Sequence, residues 1–343
     1  MGEPISILAR EVASVPDVID RQGRLLAGSV RELSARLRLE PPRVVVTCAR
    51  GSSAHAGTFA KHLLELHLGL PVAAAAPSIA SIYRRRLKLN GQLVLAISQS
   101  GASDDLIAFV REARDSGALT VAVTNDADAQ LAVACTYVLA IGAGAELSVA
   151  ATKTFVATVS AVVRLTSAWA QDEALAAALS RLPQRLAAAT ALDWCGPLQA
   201  LAGAEGLAAI GRGPTLAIAR EAALKLKEIC SMPAEAFSGA EFLHGPVALV
   251  SSRYPVLMLM PTDAAYAGMQ SLKNRLERKS TQVWSTQAGP SAVGCLPALA
   301  SDRPETDAIC LVQSFYSMLP KLAAMRGLDA DRPPHLTKIT RTE

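Results

Sequence analysis

Apolar residues change their spacing several times along this chain, and each change predicts a different element. Over residues 4–40, Ile7, Leu8, Val12, Val15, Ile19, Leu25, Leu26, Leu33 and Leu37 recur at mostly helical spacing. Pro41-Pro42 closes that stretch, because proline lacks a backbone donor and cannot continue a helix. Short, nearly continuous apolar runs follow at residues 43–48, 71–76, 93–97, 119–123 and 137–141. Helical stretches separate several of them, one following Arg50-Gly51-Ser52-Ser53 and reaching about Leu68, another over residues 104–115. All-apolar strands alternating with helices predict a parallel sheet buried on both faces.

Residues 152–190, rich in alanine and leucine, predict two bridging helices, and then the pattern restarts. A short strand at 207–210 leads through Gly211-Arg212-Gly213-Pro214-Thr215 into a helix ending near Ile229. Further strands are predicted at 255–260 and 281–284. Arg50-Gly51-Ser52-Ser53 and Arg212-Gly213-Pro214-Thr215 both place a hydroxyl two positions after a glycine at a strand-to-helix turn, which suggests one duplicated α/β unit.

Composition adds limits. Apolar residues make up 51% of the 343 and charged residues 19%, enough for two sizeable cores. The net charge of +4 is small, and the basic residues are scattered apart from Arg84, Arg85, Arg86 and Lys88; nucleic-acid binding is not expected. None of the six cysteines forms a CxxC pair or a metal-ligand cluster with histidine, so no metal and no cofactor is expected. Free cysteines in apolar stretches suit a reducing, cytoplasmic compartment. Met1-Gly2-Glu3-Pro4 does not resemble a leader, and no apolar stretch is read as approaching the roughly 20 residues of a membrane helix, so no membrane partner is expected.

Four stretches carry candidate chemistry. Ser98-Gln99-Ser100-Gly101-Ala102-Ser103 joins an apolar run to a helix. A lone turn of this kind is ordinarily a cap provided by Ser103. Paired with Arg50-Gly51-Ser52-Ser53, it reads as a phosphate site, since parallel strands put both turns at one sheet edge where helix N-termini favour anions. No GxGxxG or GxxxxGK[ST] fingerprint accompanies them. Glu221, Lys225 and Glu228 fall on one helix face, either as a solvated ion-pair stripe or as a functional set. Residues 233–246, with Glu235, Glu241 and His244, read as a connector presenting the histidine outside regular structure. The tail 331–343, containing Lys338, reads on its own as a frayed polar end.

Taken together and in order, residues 47–56, 98–103, 146–155, 220–228, 234–246 and Leu336-Thr337-Lys338 resemble the isomerase half of glucosamine-6-phosphate synthase. They are still more similar to the stand-alone glucosamine-6-phosphate deaminases built on paired sugar isomerase (SIS) domains. Leu8-Ala9-Arg10-Glu11-Val12 before Pro16 is similar to that family's leading helix, so the likeness runs from about residue 8 to the end. The resemblance implies an α/β fold of two tandem SIS domains, each a mostly parallel sheet flanked by helices: an N-terminal helical segment 1–41, then domains 42–190 and 191–343. It implies that Ser52, Ser53, Ser98, Gln99, Ser100 and Ser103 hold a sugar phosphate. Glu228 moves a proton between C1 and C2, Lys225 stabilises developing charge, and Glu221 orients its neighbours. His244 assists ring opening across a homodimer interface, and Lys338 contacts the open-chain ketose, with which it can form a Schiff base.

The implied reaction converts glucosamine 6-phosphate to fructose 6-phosphate and ammonia. A galactosamine 6-phosphate enzyme, an isomerase without deamination, or a sugar-phosphate sensor are the alternatives, because fold alone does not separate them. Two departures stand out. No catalytic cysteine follows Met1, so glutamine-dependent synthesis is not expected, and Arg50 replaces the cysteine that precedes the synthase's first turn glycine.

Overall fold

The computed structural model describes residues 5–251, 253–279, 282–289 and 293–338. Met1–Pro4, Thr281 at the head of the predicted strand 281–284, and tail residues 339–343 lie outside the described residues.

Two compact units share the chain, one made of Asp17–Glu146 and Lys153–Ser180, the other of residues 5–16, Leu147–Thr152 and Arg181–Lys338. The predicted leading helix is two helices, α1 (Ile7–Ala13) and α2 (Val15–Leu39). The first unit continues through β1 (Val45–Ala49), α3 (Gly51–Leu68), β2 (Val72–Ala74), α4 (Ser78–Ser81) and β3 (Leu93–Ile97). It is completed by α5 (Asp104–Asp115), β4 (Leu119–Thr124), α6 (Gln130–Ala134), β5 (Tyr137–Ala140) and α7 (Lys153–Ala170). Its five strands are all parallel, in the order β2-β1-β3-β4-β5. Every residue of β3 is buried, as expected of a strand covered on both faces. Val94 and Ala96 of β3 pack with Leu106, Phe109 and Val110 of α5, the apolar stripe of an otherwise charged helix.

After α8 (Glu173–Thr190), the second unit runs through α9 (Leu198–Ala202), β6 (Leu207–Gly211), α10 (Pro214–Cys230), β7 (Ala234–Ser238) and two short 3₁₀ turns (Glu241–Leu243, Pro246–Leu249). It ends with β8 (Val256–Met258), α11 (Tyr266–Glu277), β9 (Val283–Ala288), β10 (Cys295–Ala298) and α12 (Pro304–Met325). Its strands are again all parallel, in the order β10-β9-β8-β6-β7. Counted from the first strand of each sheet, both orders are the same doubly wound 2-1-3-4-5 arrangement. The duplication suggested by two short turns is thus present in the topology. In each sheet the chain departs to opposite sides of its first strand, leaving a crevice at the carboxyl ends of β1 and β3 and of β6 and β8.

Two expectations are corrected. Residues 233–246 are not wholly a connector, since Ala234–Ser238 form β7. This edge strand is partly exposed and carries Glu235 and Ser238, so it lacks an apolar run. The reading that no stretch is long and apolar enough to cross a membrane also fails. By length and composition α12 qualifies, because its charged residues stand near its ends while residues 308–319 carry no charge. Most of α12 is buried, and it packs against α10, α1 and α9 as the core helix of its unit.

Candidate active site

In the first unit, β1 and β3 are neighbours in register, Ala49 beside Ile97, so the turns that follow them open at the same edge. The first turn starts α3, with Ser52 and Ser53 half-buried in its opening turn. The second holds Ser98, Gln99, Ser100 and Ser103 ahead of α5. Ser98 Oγ accepts the Gly101 N–H at 3.2 Å, and Ser100 Oγ accepts from Ala102 at 3.4 Å. Only glycine fits position 101: its φ is +60°, and an added Cβ would stand 2.5 Å from the Cβ of Ala129. Ser103 occupies the N-cap position of α5 but its hydroxyl makes no capping bond, which removes the ordinary explanation for it.

Arg50 supplies what the sequence reading missed. Its Nε and Nη2 donate to Asp105 Oδ2 at 3.0 and 2.7 Å, and Asp105, in the first turn of α5, is only 2% exposed. The departure from the synthase pattern is therefore a clasp between the two serine-bearing turns. Arginine suits it because a planar guanidinium donates twice along one direction. The signal was an arginine in one turn and an acid in the other, and only their proximity turns it into a pair.

In the second unit, α10 decides between the two readings of its charges. Glu221 is 0% and Lys225 1% exposed, so this face is not a solvated stripe. Lys225 Nζ donates to Glu228 Oε2 at 2.5 Å and lies 3.4 Å from Glu221 Oε1. Tyr316 of α12 donates its hydroxyl to that same Glu221 oxygen at 2.9 Å. Burying one ammonium costs several kcal/mol unless it is compensated, and here two carboxylates share it. Glu228 differs from Glu221 in keeping 22% of its side chain exposed. It is the member of the set that can meet a ligand.

His244 ends the first 3₁₀ turn and is exposed, its N–H given to Glu241 O at 2.9 Å. It lines a cavity of about 370 Å³ with Arg212, Gly239, Met269, Arg275 and Arg278, whose walls include neither Glu228 nor Lys225. Within one chain, then, His244 is not grouped with them. Lys338 is partly buried and donates Nζ to Ser148 O at 2.5 Å. A more enclosed cavity of about 210 Å³ lies beyond β8, β9 and β10, but its charged residues Arg185 and Asp307 pair with each other at 2.7 Å. We read it as structural. Among the described residues, no three His, Cys, Asp or Glu side chains are grouped so as to hold a metal. Burial pushes the Cys230 and Cys310 thiols up to about 12 and raises Cys48 further still, which makes them packing groups rather than nucleophiles.

Comparison with known proteins settles the family. The model of the SIS domain matches this chain twice, over residues 39–168 and 200–325. The chain belongs to the SIS domain family. Each SIS match takes in one of the five-stranded sheets. The isomerising glutamine–fructose-6-phosphate aminotransferase of Symbiobacterium thermophilum is 33% identical over 327 residues, covering 88% of this chain and 52% of that protein. The chain thus spans about half the length of that relative. A proposed phosphosugar isomerase from Silicibacter pomeroyi DSS-3 is 43% identical with a TM-score of 0.90, covering 95% of this chain and 100% of that one. The C-terminal domain of glucosamine-fructose-6-phosphate aminotransferase from Francisella tularensis superposes with a TM-score of 0.85 at 23% identity, covering 96% and 99% of the two chains. At that identity the likeness is one of fold.

Proposed function

We propose that this SIS protein is a phosphosugar isomerase that deaminates an amino sugar, converting glucosamine 6-phosphate to fructose 6-phosphate and ammonia. The observation that carries the reading is the Glu228 carboxylate, partly open to solvent while bonded to a lysine enclosed in the protein. Moving a proton next to a carbonyl needs a positioned carboxylate, and a fixed cation beside it stabilises the charge that develops. Glu228 takes the proton from C2 of the open-chain sugar and returns it to C1. The imine left at C2 then takes up water and releases ammonia. Glu221 and Tyr316 hold Lys225 in place.

Ser52, Ser53, Ser98, Gln99, Ser100 and Ser103 take the phosphate, in keeping with helix N-termini that favour anions. His244 serves ring opening from the partner subunit of a homodimer, a role compatible with its exposure. Lys338 contacts the open-chain sugar. Relatives named as isomerising aminotransferases and as a phosphosugar isomerase support the reaction class.

The test is a substrate panel with purified protein. Glucosamine 6-phosphate should yield ammonia and fructose 6-phosphate in equal amounts. Galactosamine 6-phosphate as the only reactive sugar would change the substrate; aldose–ketose interconversion without ammonia would leave an isomerase. Binding without turnover of any sugar would defeat the catalytic reading.

A further inference from the structure

Lys338 stands 13 residues beyond the end of α12, in a stretch without regular secondary structure, where a chain end ordinarily frays. It is held instead, and the holding can be traced bond by bond. Asp331 accepts from the Ile7 N–H through Oδ2 at 2.7 Å and from the Leu8 N–H through Oδ1 at 2.9 Å. Those are N–H groups of the opening turn of α1 that have no partner within the helix. One turn further along α1, Glu11 accepts from the Leu147 N–H at 2.6 Å and the Ser148 N–H at 3.2 Å. Ser148 in turn presents its carbonyl oxygen to Lys338 Nζ at 2.5 Å. The circuit closes: Asp331, α1, Glu11, Ser148, Lys338, and back along seven residues to Asp331.

Helix α1 is a firm base for this circuit. Leu8 and Val12 are fully or almost fully buried, Ser6 Oγ accepts the Ala9 N–H at 3.1 Å, and Gln313 of α12 donates to Val12 O at 2.8 Å. Two carboxylates at opposite ends of one short helix therefore fix both the tail and the carbonyl that the tail lysine meets.

We propose that Glu11 and Asp331 are positioning residues for Lys338, and that α1 is a two-ended clamp holding the tail amine at the substrate. The inference rests on the reading of Lys338 as the group that contacts the open-chain sugar. The full chain is tested as Glu11→Gln and as Asp331→Ala, two variants that loosen opposite ends of the circuit. Acetic anhydride labelling of Lys338, followed by peptide mass spectrometry, reads the freedom of the amine without reference to activity. Both variants should label Lys338 several-fold faster than the parent while other lysines keep their rates. Their kcat on glucosamine 6-phosphate should fall about tenfold with KM within twofold, since misplacing one group costs rate while the phosphate is held elsewhere.

Unchanged labelling together with unchanged kcat in either folded variant overturns the clamp. So does a loss confined to thermal stability. Faster labelling of Lys338 in both variants, with a parent protein inert toward every sugar phosphate, would leave the clamp standing and overturn the catalytic reading instead.

Discussion

The two halves of this protein share a strand order but use the turn after their first strand in opposite ways. In the first unit the turn presents Ser52 and Ser53, half-buried, and is clasped to the next serine-bearing turn by Arg50 and Asp105. In the second unit the hydroxyl at the equivalent place is consumed. Thr215, 1% exposed, accepts the Arg212 N–H at 3.0 Å and shares its proton between the carbonyl oxygens of Arg212 and Leu259 at 2.9 and 2.8 Å. Gly211 lets that turn fold inward, since an added Cβ would stand 2.2 Å from Thr215 O. What the second unit offers instead is a charged helix face, Glu221, Lys225 and Glu228. Duplication supplied the same strand order twice, and on the proposed reading side chains divide the labour: anion recognition at the turns of the first unit and acid–base chemistry on α10 of the second.

That division can be broken at its strongest point first. Replacing Glu228 by Gln should lower kcat by roughly 10²- to 10⁴-fold, the usual worth of a general base, with KM nearly unchanged. Steady-state kinetics checks it, and full activity would remove Glu228 from the role. Next in size is Lys225→Met, which leaves Glu221 buried without its cation. Stability should fall by about 3–5 kcal/mol, read as a shift in the urea midpoint. A neutral result would mean that Glu221 does not depend on Lys225.

The turns themselves give a crossed comparison. Ser100→Ala should raise KM about tenfold or more with little loss of stability, the scale of one hydrogen bond to a charged group. Thr215→Val should do the reverse, costing about 1–3 kcal/mol of stability through unsatisfied Arg212 and Leu259 groups while leaving KM alone. Equal effects of both kinds at both turns would erase the distinction between the units.

The smallest effect should be common to both halves. Burial raises the thiols of Cys48 and Cys135 in the first unit and of Cys230 and Cys310 in the second above the ordinary 9.0. A group whose folded pKa is raised binds its proton more tightly in the folded state. Its stabilisation is full below about pH 9 and is lost as pH climbs toward 12. The drop in urea midpoint between pH 8 and pH 10.5 should therefore shrink in Cys230→Ala and in Cys135→Ala alike, each compared with its own value at pH 8.

Legibility in the sequence followed the burial of each element. Leu93–Ile97 and Asp104–Asp115 were bounded to the residue, because an unbroken apolar run between polar flanks and the period of an amphipathic helix both stand out along the chain. The strand β7 was missed because an edge strand need not be apolar, and β10 because it is short and contains Pro297, which sheets tolerate at their edges. The helices α11 and α12 were not singled out either. The first is half-exposed with a weak stripe, and the second is apolar nearly all round and so has little contrast to read.

The sequence by itself determined the duplicated parallel α/β architecture and the residue types at its turns, since periodicity and turn chemistry are local properties of the chain. Tertiary structure alone decided which of those residues meet. It placed Lys225 out of water between two carboxylates, turned Arg50 toward Asp105, occupied the hydroxyl of Thr215, and tied Asp331 of the tail to a helix more than 300 residues away. Burial and hydrogen-bond partnership depend on what lies nearby in space, and a one-dimensional pattern carries no record of that.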